Sequence, residues 1–309
     1  MQLDRENLLY TIGLLLIPKI GHINAKNLIS YAGSAKAVFE MKKTQLEKIP
    51  GIGKATSESI RNQTVLKRAQ PEIDFIEKKG LTVLHYVNDA YPKRLKQCVD
   101  SPVLLYHLGN ADFNPNKIIS IVGTRNATEY GKENCEKLVE DLAAYNVTIV
   151  SGLAYGIDIT AHKAALKNSL PTIGAVAHGL DRIYPAVHRE TATKMLENGG
   201  VLSDFISGTK PDKENFPSRN RIIAGLADAT IVIESAEKGG SLITANIANS
   251  YSRDVFAFPG DVSKKYSRGC NWLIKNNISA LIESAEDLIY MMGWDEKEAK
   301  PKAQRELFI

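Results

Sequence analysis

From Ile118 onward, short apolar, β-branched runs alternate with longer stretches in which apolar residues recur every three or four positions. The short runs predict strands of a parallel sheet buried on both faces, and the longer stretches predict amphipathic helices laid over it. Strands are expected at 118–122, 147–151, 172–177, 200–204, 229–234, 254–258 and 280–282. Helices are expected at 131–145, 158–168, 188–198, 217–227, 241–252, 270–276 and 285–292. Alternation of this kind implies βαβ crossovers, so the fold class is α/β, with a Rossmann-like, doubly wound, mostly parallel sheet. Two further strand patterns, at 81–86 and 102–109, precede the series.

The N-terminal region has a different rhythm. Ile17-Pro18-Lys19-Ile20-Gly21 precedes HINAKNLI, and Ile49-Pro50-Gly51-Ile52-Gly53 precedes KATSESI. Each unit is an apolar residue, a proline, a short turn ending in glycine, and a helical pattern. This resembles the helix-hairpin-helix unit, in which glycine N–H groups at a helix start meet a DNA phosphate. The first copy carries lysine where the unit has its first glycine. Two tight αα-hairpins packed on each other need the same prolines and glycines for geometry alone, so that reading stands beside the first. His22 is expected to be a surface or capping residue. The chain thus divides into a small all-α domain at 1–70, a sheet domain at 71–293 and a charged tail at 294–309.

Composition narrows the classes only slightly. At 309 residues the chain is long enough for two domains. A net charge of +4 permits a nucleic-acid partner without requiring one. Cys98, Cys135 and Cys270 stand far apart, which fits neither a zinc site nor a disulfide framework and suits a reducing cytoplasm. The apolar run from Leu8 to Ile17 is too short to span a bilayer. No membrane, metal or cofactor is expected.

Chemistry is expected where strands end. Gly123-Thr124-Arg125-Asn126-Ala127-Thr128 follows the first strand of the series. It lacks the second and third glycines of a dinucleotide fingerprint, but a strand that ends in glycine and turns into a helix suits phosphate. Arg125 adds a planar donor fork and Thr128 a hydroxyl. In Ser151-Gly152-Leu153-Ala154-Tyr155-Gly156-Ile157-Asp158, Asp158 opens a helix with His162 four residues on. The pair has the chemistry of a catalytic dyad, but no nucleophile elbow accompanies it, and a capping Asp with a hydrogen-bonded His is the commoner outcome. Lys210 to Arg221 is the densest basic segment of the sheet domain. There Arg219 and Arg221 suit phosphates and Phe216 suits a base. Lys238-Gly239-Gly240-Ser241-Leu242-Ile243-Thr244 is a second anion nest opening a helix.

These segments, in this order, with Phe258-Pro259-Gly260-Asp261 and Gly269-Cys270-Asn271-Trp272-Leu273-Ile274, resemble the DNA-processing protein A family (DprA, also called Smf) over roughly residues 80–290. The resemblance implies a non-enzymatic, dimeric protein with an extended Rossmann fold. Such a protein binds single-stranded DNA, protects incoming DNA and loads the RecA recombinase in natural transformation. Carried over by residue, it implies Gly123, Arg125 and Thr128 for phosphate, Lys213, Phe216, Arg219 and Arg221 from the basic segment, and Gly240, Ser241 and Thr244 from the second nest. The helices at 241–252 and 285–292 are candidates for dimerisation.

Two departures stand out. The family's second motif often reads SGGARGID, whereas Leu153 and Tyr155 here replace a glycine and an arginine. Many members continue into a winged-helix domain, whereas this chain ends at Ala303–Ile309 after a charged stretch. The competing reading is a nucleotide-processing enzyme of the nucleoside-monophosphate phosphoribohydrolase class, which has a related fold. Its pattern needs an acid in the first turn after the Gly-Gly nest, and none stands there.

Overall fold

The computed structural model describes residues 4–61 and 64–294. The charged tail expected beyond Trp294 lies outside the described residues. Among the described residues nine strands form one sheet: Thr82–His85 (β1), Leu104–Gly109 (β2), Ile118–Val122 (β3), Thr148–Ser151 (β4), Thr172–Ala175 (β5), Gly199–Ser203 (β6), Ala229–Val232 (β7), Asp254–Ala257 (β8) and Ala280–Leu281 (β9). Their order is β1-β2-β6-β5-β4-β3-β7-β8-β9. All pairings from β6 through β9 are parallel, while β2 runs antiparallel to both its neighbours. The sheet is therefore doubly wound, with an antiparallel margin built from the two early strands.

β3 shows why the apolar runs are continuous. Ile119 and Ile121 pack on one face with Leu138, Ile149 and Phe256, while Ile118 and Val122 pack on the other with Val150 and Ile222. Every β3 residue is buried because helices cover both faces. Ser120 shares a face with Ile118 and Val122. Its hydroxyl is satisfied by Thr230 Oγ1 on β7, 2.8 Å away and directly in register.

Before the sheet the described residues form the helices Arg5–Leu16, His22–Ala32, Ala35–Glu40, Lys43–Leu46, Lys54–Arg61 and Leu66–Lys79. Both sequence repeats fold as the same turn. The Ile20 N–H donates to Ile17 O and the Ile52 N–H to Ile49 O, each at 3.1 Å. The second turn residue has positive φ in both, +83° at Gly51 and +69° at Lys19. The lysine thus occupies a left-handed conformation that costs an L-residue about 1–2 kcal/mol. Position 70 falls inside the helix Leu66–Lys79, whose Ala69, Ile73 and Ile76 belong to the helical core.

That core does not stop at the first strand. Ile20, Leu28 and Ile49 share one buried cluster with Val103, Leu104 and Tyr106 from β2 and its approach. Polar contacts cross the same boundary. Buried Glu72 accepts from the Ser207 N–H at 2.9 Å. His22, expected to be a surface or capping residue, opens the helix His22–Ala32 and turns its ring toward the approach to β2 and the end of β6. Its Nδ1 accepts from the Val103 N–H at 3.1 Å, and its Nε2 lies 3.5 Å from Asp204 Oδ2.

Candidate nucleic-acid interface

In chain order, β4 to β6 add to one side of β3 and β7 to β9 to the other. The carboxyl ends of β3 and β7 therefore flank a topological switch point, where open α/β sheets leave a crevice. The loop after β3 is tied to both neighbours. The Thr124 N–H donates to Glu234 O at 2.8 Å, and the Ile157 N–H donates to Thr124 O at 3.2 Å. Between these loops lies a cleft of about 450 Å³.

Seven expected site residues line this one cleft: Gly123, Arg125, Phe216, Arg219, Gly240, Ser241 and Thr244. They come from three separate segments, and the switch-point geometry brings them together. The Phe216 ring centre lies 5.1 Å from the Arg125 guanidinium and 5.9 Å from that of Arg219, with the Tyr184 ring centre 6.4 Å away. The helix Gly240–Ser250 opens on Gly239 with no side-chain cap and no acid in its first turn. Its positive end is open to an anion.

Arg219 is anchored rather than free. It is 4% exposed, donates from Nη1 to Gly152 O at 2.7 Å and also to Ala175 O, while its Nε has no partner among the described residues. Burial pulls its pKa down to about 10, which the Asp158 charge partly offsets. Burial pushes the Asp158 carboxyl above the usual carboxylate range, against the attraction of Arg219 and the Ala154 N–H. Both side chains converge over Gly152, where a Cβ would stand 2.5 Å from Arg219 Nη1 and 2.5 Å from Asp158 Oδ2. A side chain at position 152 would force this pair to shift.

Three expected site residues stand outside the cleft wall. Thr128 caps the helix Glu129–Leu142, accepting from the Gly131 N–H at 3.3 Å and donating to Glu234 Oε1 at 2.7 Å. Arg221 follows Arg219 by two positions on the helix Asn215–Leu226, so it projects from a different face. It donates to Asp204 Oδ2 at 2.5 Å and to Asp100 O, away from the cleft. Lys213 is exposed on the loop that leads into this helix. In the other direction, Lys265 and Tyr266 line the cleft without having been expected there. Lys264-Lys265-Tyr266, a basic pair beside an aromatic, was the available signal.

Asp158 and His162 do not form a dyad. His162 is buried with its Nδ1 2.7 Å from Thr172 Oγ1, and burial pushes its pKa down to about 3. It is neutral at physiological pH and packs behind the sheet end, while Asp158 serves Arg219. The three cysteines are buried, and burial raises the Cys98 and Cys270 thiols to about 11 and about 12. No group of three metal-ligating side chains occurs among the described residues. No helix among them is long and apolar enough to cross a membrane.

The sheet domain that builds this cleft coincides with the extent of a sequence family. The family model described as DNA recombination-mediator protein A matches residues 82–293. The DNA processing protein DprA of Streptococcus pneumoniae is 40% identical over 203 residues, covering 66% of this chain and 71% of that protein. Its Bacillus subtilis counterpart is 40% identical over 211 residues, covering 68% and 71%. The X-ray structure of the Streptococcus pneumoniae protein superimposes with a TM-score of 0.75 at 30% identity, covering 97% of this chain and all of that one. The Helicobacter pylori protein, solved in a study of its single-stranded DNA binding mode, matches with a TM-score of 0.63 at 29% identity, covering 70% and 96%. With its doubly wound sheet, its switch-point cleft and a family match that spans both, this chain belongs to the DNA recombination-mediator protein A family.

Proposed function

We propose that the chain binds single-stranded DNA in the cleft between the ends of β3 and β7, acting as a DNA-processing recombination mediator and not as an enzyme. One observation carries the reading: Arg125, Phe216, Arg219 and the uncapped start of the helix Gly240–Ser250 meet in a single cleft. Cations and a helix N-terminus receive phosphate, and a half-exposed phenyl ring receives a base. Single strands offer both at once, because their bases are unstacked and their backbone bends to the wall. The Helicobacter pylori relative, described by its single-stranded DNA binding mode, supports this choice of ligand.

On this reading the chain works in the cytoplasm, protecting incoming DNA during natural transformation and loading RecA onto it. It pairs into a homodimer through the helix Ala285–Met292, where Tyr290 and Met291 are exposed. The binding test is fluorescence anisotropy with a labelled oligo-dT at two salt concentrations. Affinity is expected to fall steeply with salt, with a log–log slope of about −0.7 per phosphate contact. Binding that ignores salt and survives Arg125→Ala would overturn the assignment. For the mediator step, RecA filament growth on protein-coated single strands should accelerate when the chain is added.

A further inference from the structure

A second groove, of about 750 Å³, lies beside the cleft and is not used by the reading above. It is lined by Tyr155, Lys163, Lys167, Val187 and His188, among others. The two concavities share a wall. Ala154 lines the cleft, and the next residue, Tyr155, lines the groove. The loop after β5 makes the same connection: Tyr184 stands against Phe216 at the cleft, and Val187 and His188 of that loop stand in the groove. From Phe216 through Tyr184 and Val187 to Tyr155, the surface offers a row of half-exposed or exposed apolar and aromatic side chains.

Tyr155 is held as a platform. Half of its surface is open to solvent, and its ring meets the buried His188 edge-on, 5.0 Å between centres. His188 is itself fixed by a 2.9 Å hydrogen bond from its Nδ1 to Leu153 O. Lys163 and Lys167 lie one turn apart on the helix Ile157–Lys167 and share the face that borders the groove. Glu190, the one acid on its lining, is paired with Lys194 at 2.8 Å, which leaves the lysine pair as its excess charge.

We propose that a DNA single strand leaving the cleft continues into this groove, with a base stacked on Tyr155 and phosphates against Lys163 and Lys167. The proposal rests on the single-stranded DNA reading of the cleft and extends its footprint. A stacking platform beside two cations, continuous with the cleft, is the pairing of chemistries that tracks a flexible strand. Tyr155 contributes a π-face, so its own share of the contact is insensitive to salt, whereas Lys163 and Lys167 carry the salt dependence of the groove.

The test compares labelled oligo-dT of about 5 and about 15 nucleotides, lengths near the two ends of the roughly 4–16 nucleotide site sizes of single-strand binding folds. The wild-type chain should bind the longer oligomer at least tenfold more tightly. Tyr155→Ala should weaken the longer oligomer about tenfold and leave the shorter one unchanged, while Tyr155→Phe should behave as wild type. Replacing Lys163 and Lys167 by Gln should reduce the salt slope for the longer oligomer by roughly 0.7 per lysine. Photocrosslinking of a 5-iododeoxyuridine oligomer to the unmodified chain, mapped by mass spectrometry, should label Tyr155 and needs no variant to fold. If wild type binds both lengths equally, or Tyr155→Ala weakens both or neither, the groove is not part of the path. If wild type binds neither oligomer, the reading of the cleft falls, and the extension falls with it.

Discussion

The Arg125 guanidinium lies 5.1 Å from the centre of the Phe216 ring, joining the loop after β3 to the start of the helix Asn215–Leu226. These residues are 91 positions apart in the chain, and each has a different ligand chemistry. A base that stacks on Phe216 must displace or share the guanidinium, and a displaced guanidinium is free to reach the adjoining phosphate. The contact therefore keeps both groups at the wall where a strand would meet them.

Arg125→Ala is expected to reduce oligo-dT affinity about tenfold or more and to lower the salt slope by roughly 0.7. Arg125→Lys should recover the slope but not all of the affinity, because it restores the charge without the planar fork. Arg125 is exposed, so the melting temperature should stay at the wild-type value. Salt titrations of binding beside thermal melts check both statements.

Phe216→Ala should cost about 1–3 kcal/mol of binding through lost stacking, with the salt slope unchanged. Because Phe216 touches Arg125, the double variant should lose less than the sum of the two single losses. Additive losses in a double-mutant cycle would separate the two groups and place them on different parts of the ligand.

Asp204 stands where the N-terminal helices meet the sheet, paired with Arg221 and 3.5 Å from His22. Burial acts to raise its carboxyl, but hydrogen bonds and charge from His22 and Arg221 outweigh burial and hold it below the usual carboxylate range. An acid whose folded pKa is depressed contributes stability that is fully present above the unfolded value of about 3.8–3.9 and is lost as pH falls through the folded value. Asp204→Asn should therefore be destabilised by about 3–5 kcal/mol at pH 7, since it leaves the largely covered Arg221 guanidinium without its counter-charge. The gap from wild type should hold down to about pH 4 and narrow below it. Urea midpoints measured across that range give the comparison.

Lys19→Gly should stabilise the chain by up to about 1 kcal/mol. Glycine relieves the left-handed strain at φ +69° and gives back part of that gain as added unfolded-state freedom. Gly51→Ala, at φ +83° in the matching turn, should move stability in the opposite direction. Denaturant unfolding of the pair tests whether the two hairpins are equivalent.

What was legible in the sequence is what depends on local spacing. The strands at 118–122 and 254–258 announced themselves because burial on both faces requires continuous apolar runs, and the two Pro-containing repeats announced a shared turn. The glycine-ended loops expected to face an anion line one cleft. Three dimensions were needed wherever the outcome depends on the direction of a side chain. Arg219 and Arg221 look alike in the sequence, yet the turn of the helix sends one to the cleft and the other to Asp204. Thr128 reads as a phosphate ligand but spends its hydroxyl on its own helix start and on Glu234, 106 residues away. Lys265 and Tyr266 enter the cleft only because the chain returns there after β8. Periodicity records which residues are buried, whereas a site is made by contacts between distant segments, and those exist only once the sheet has chosen its strand order.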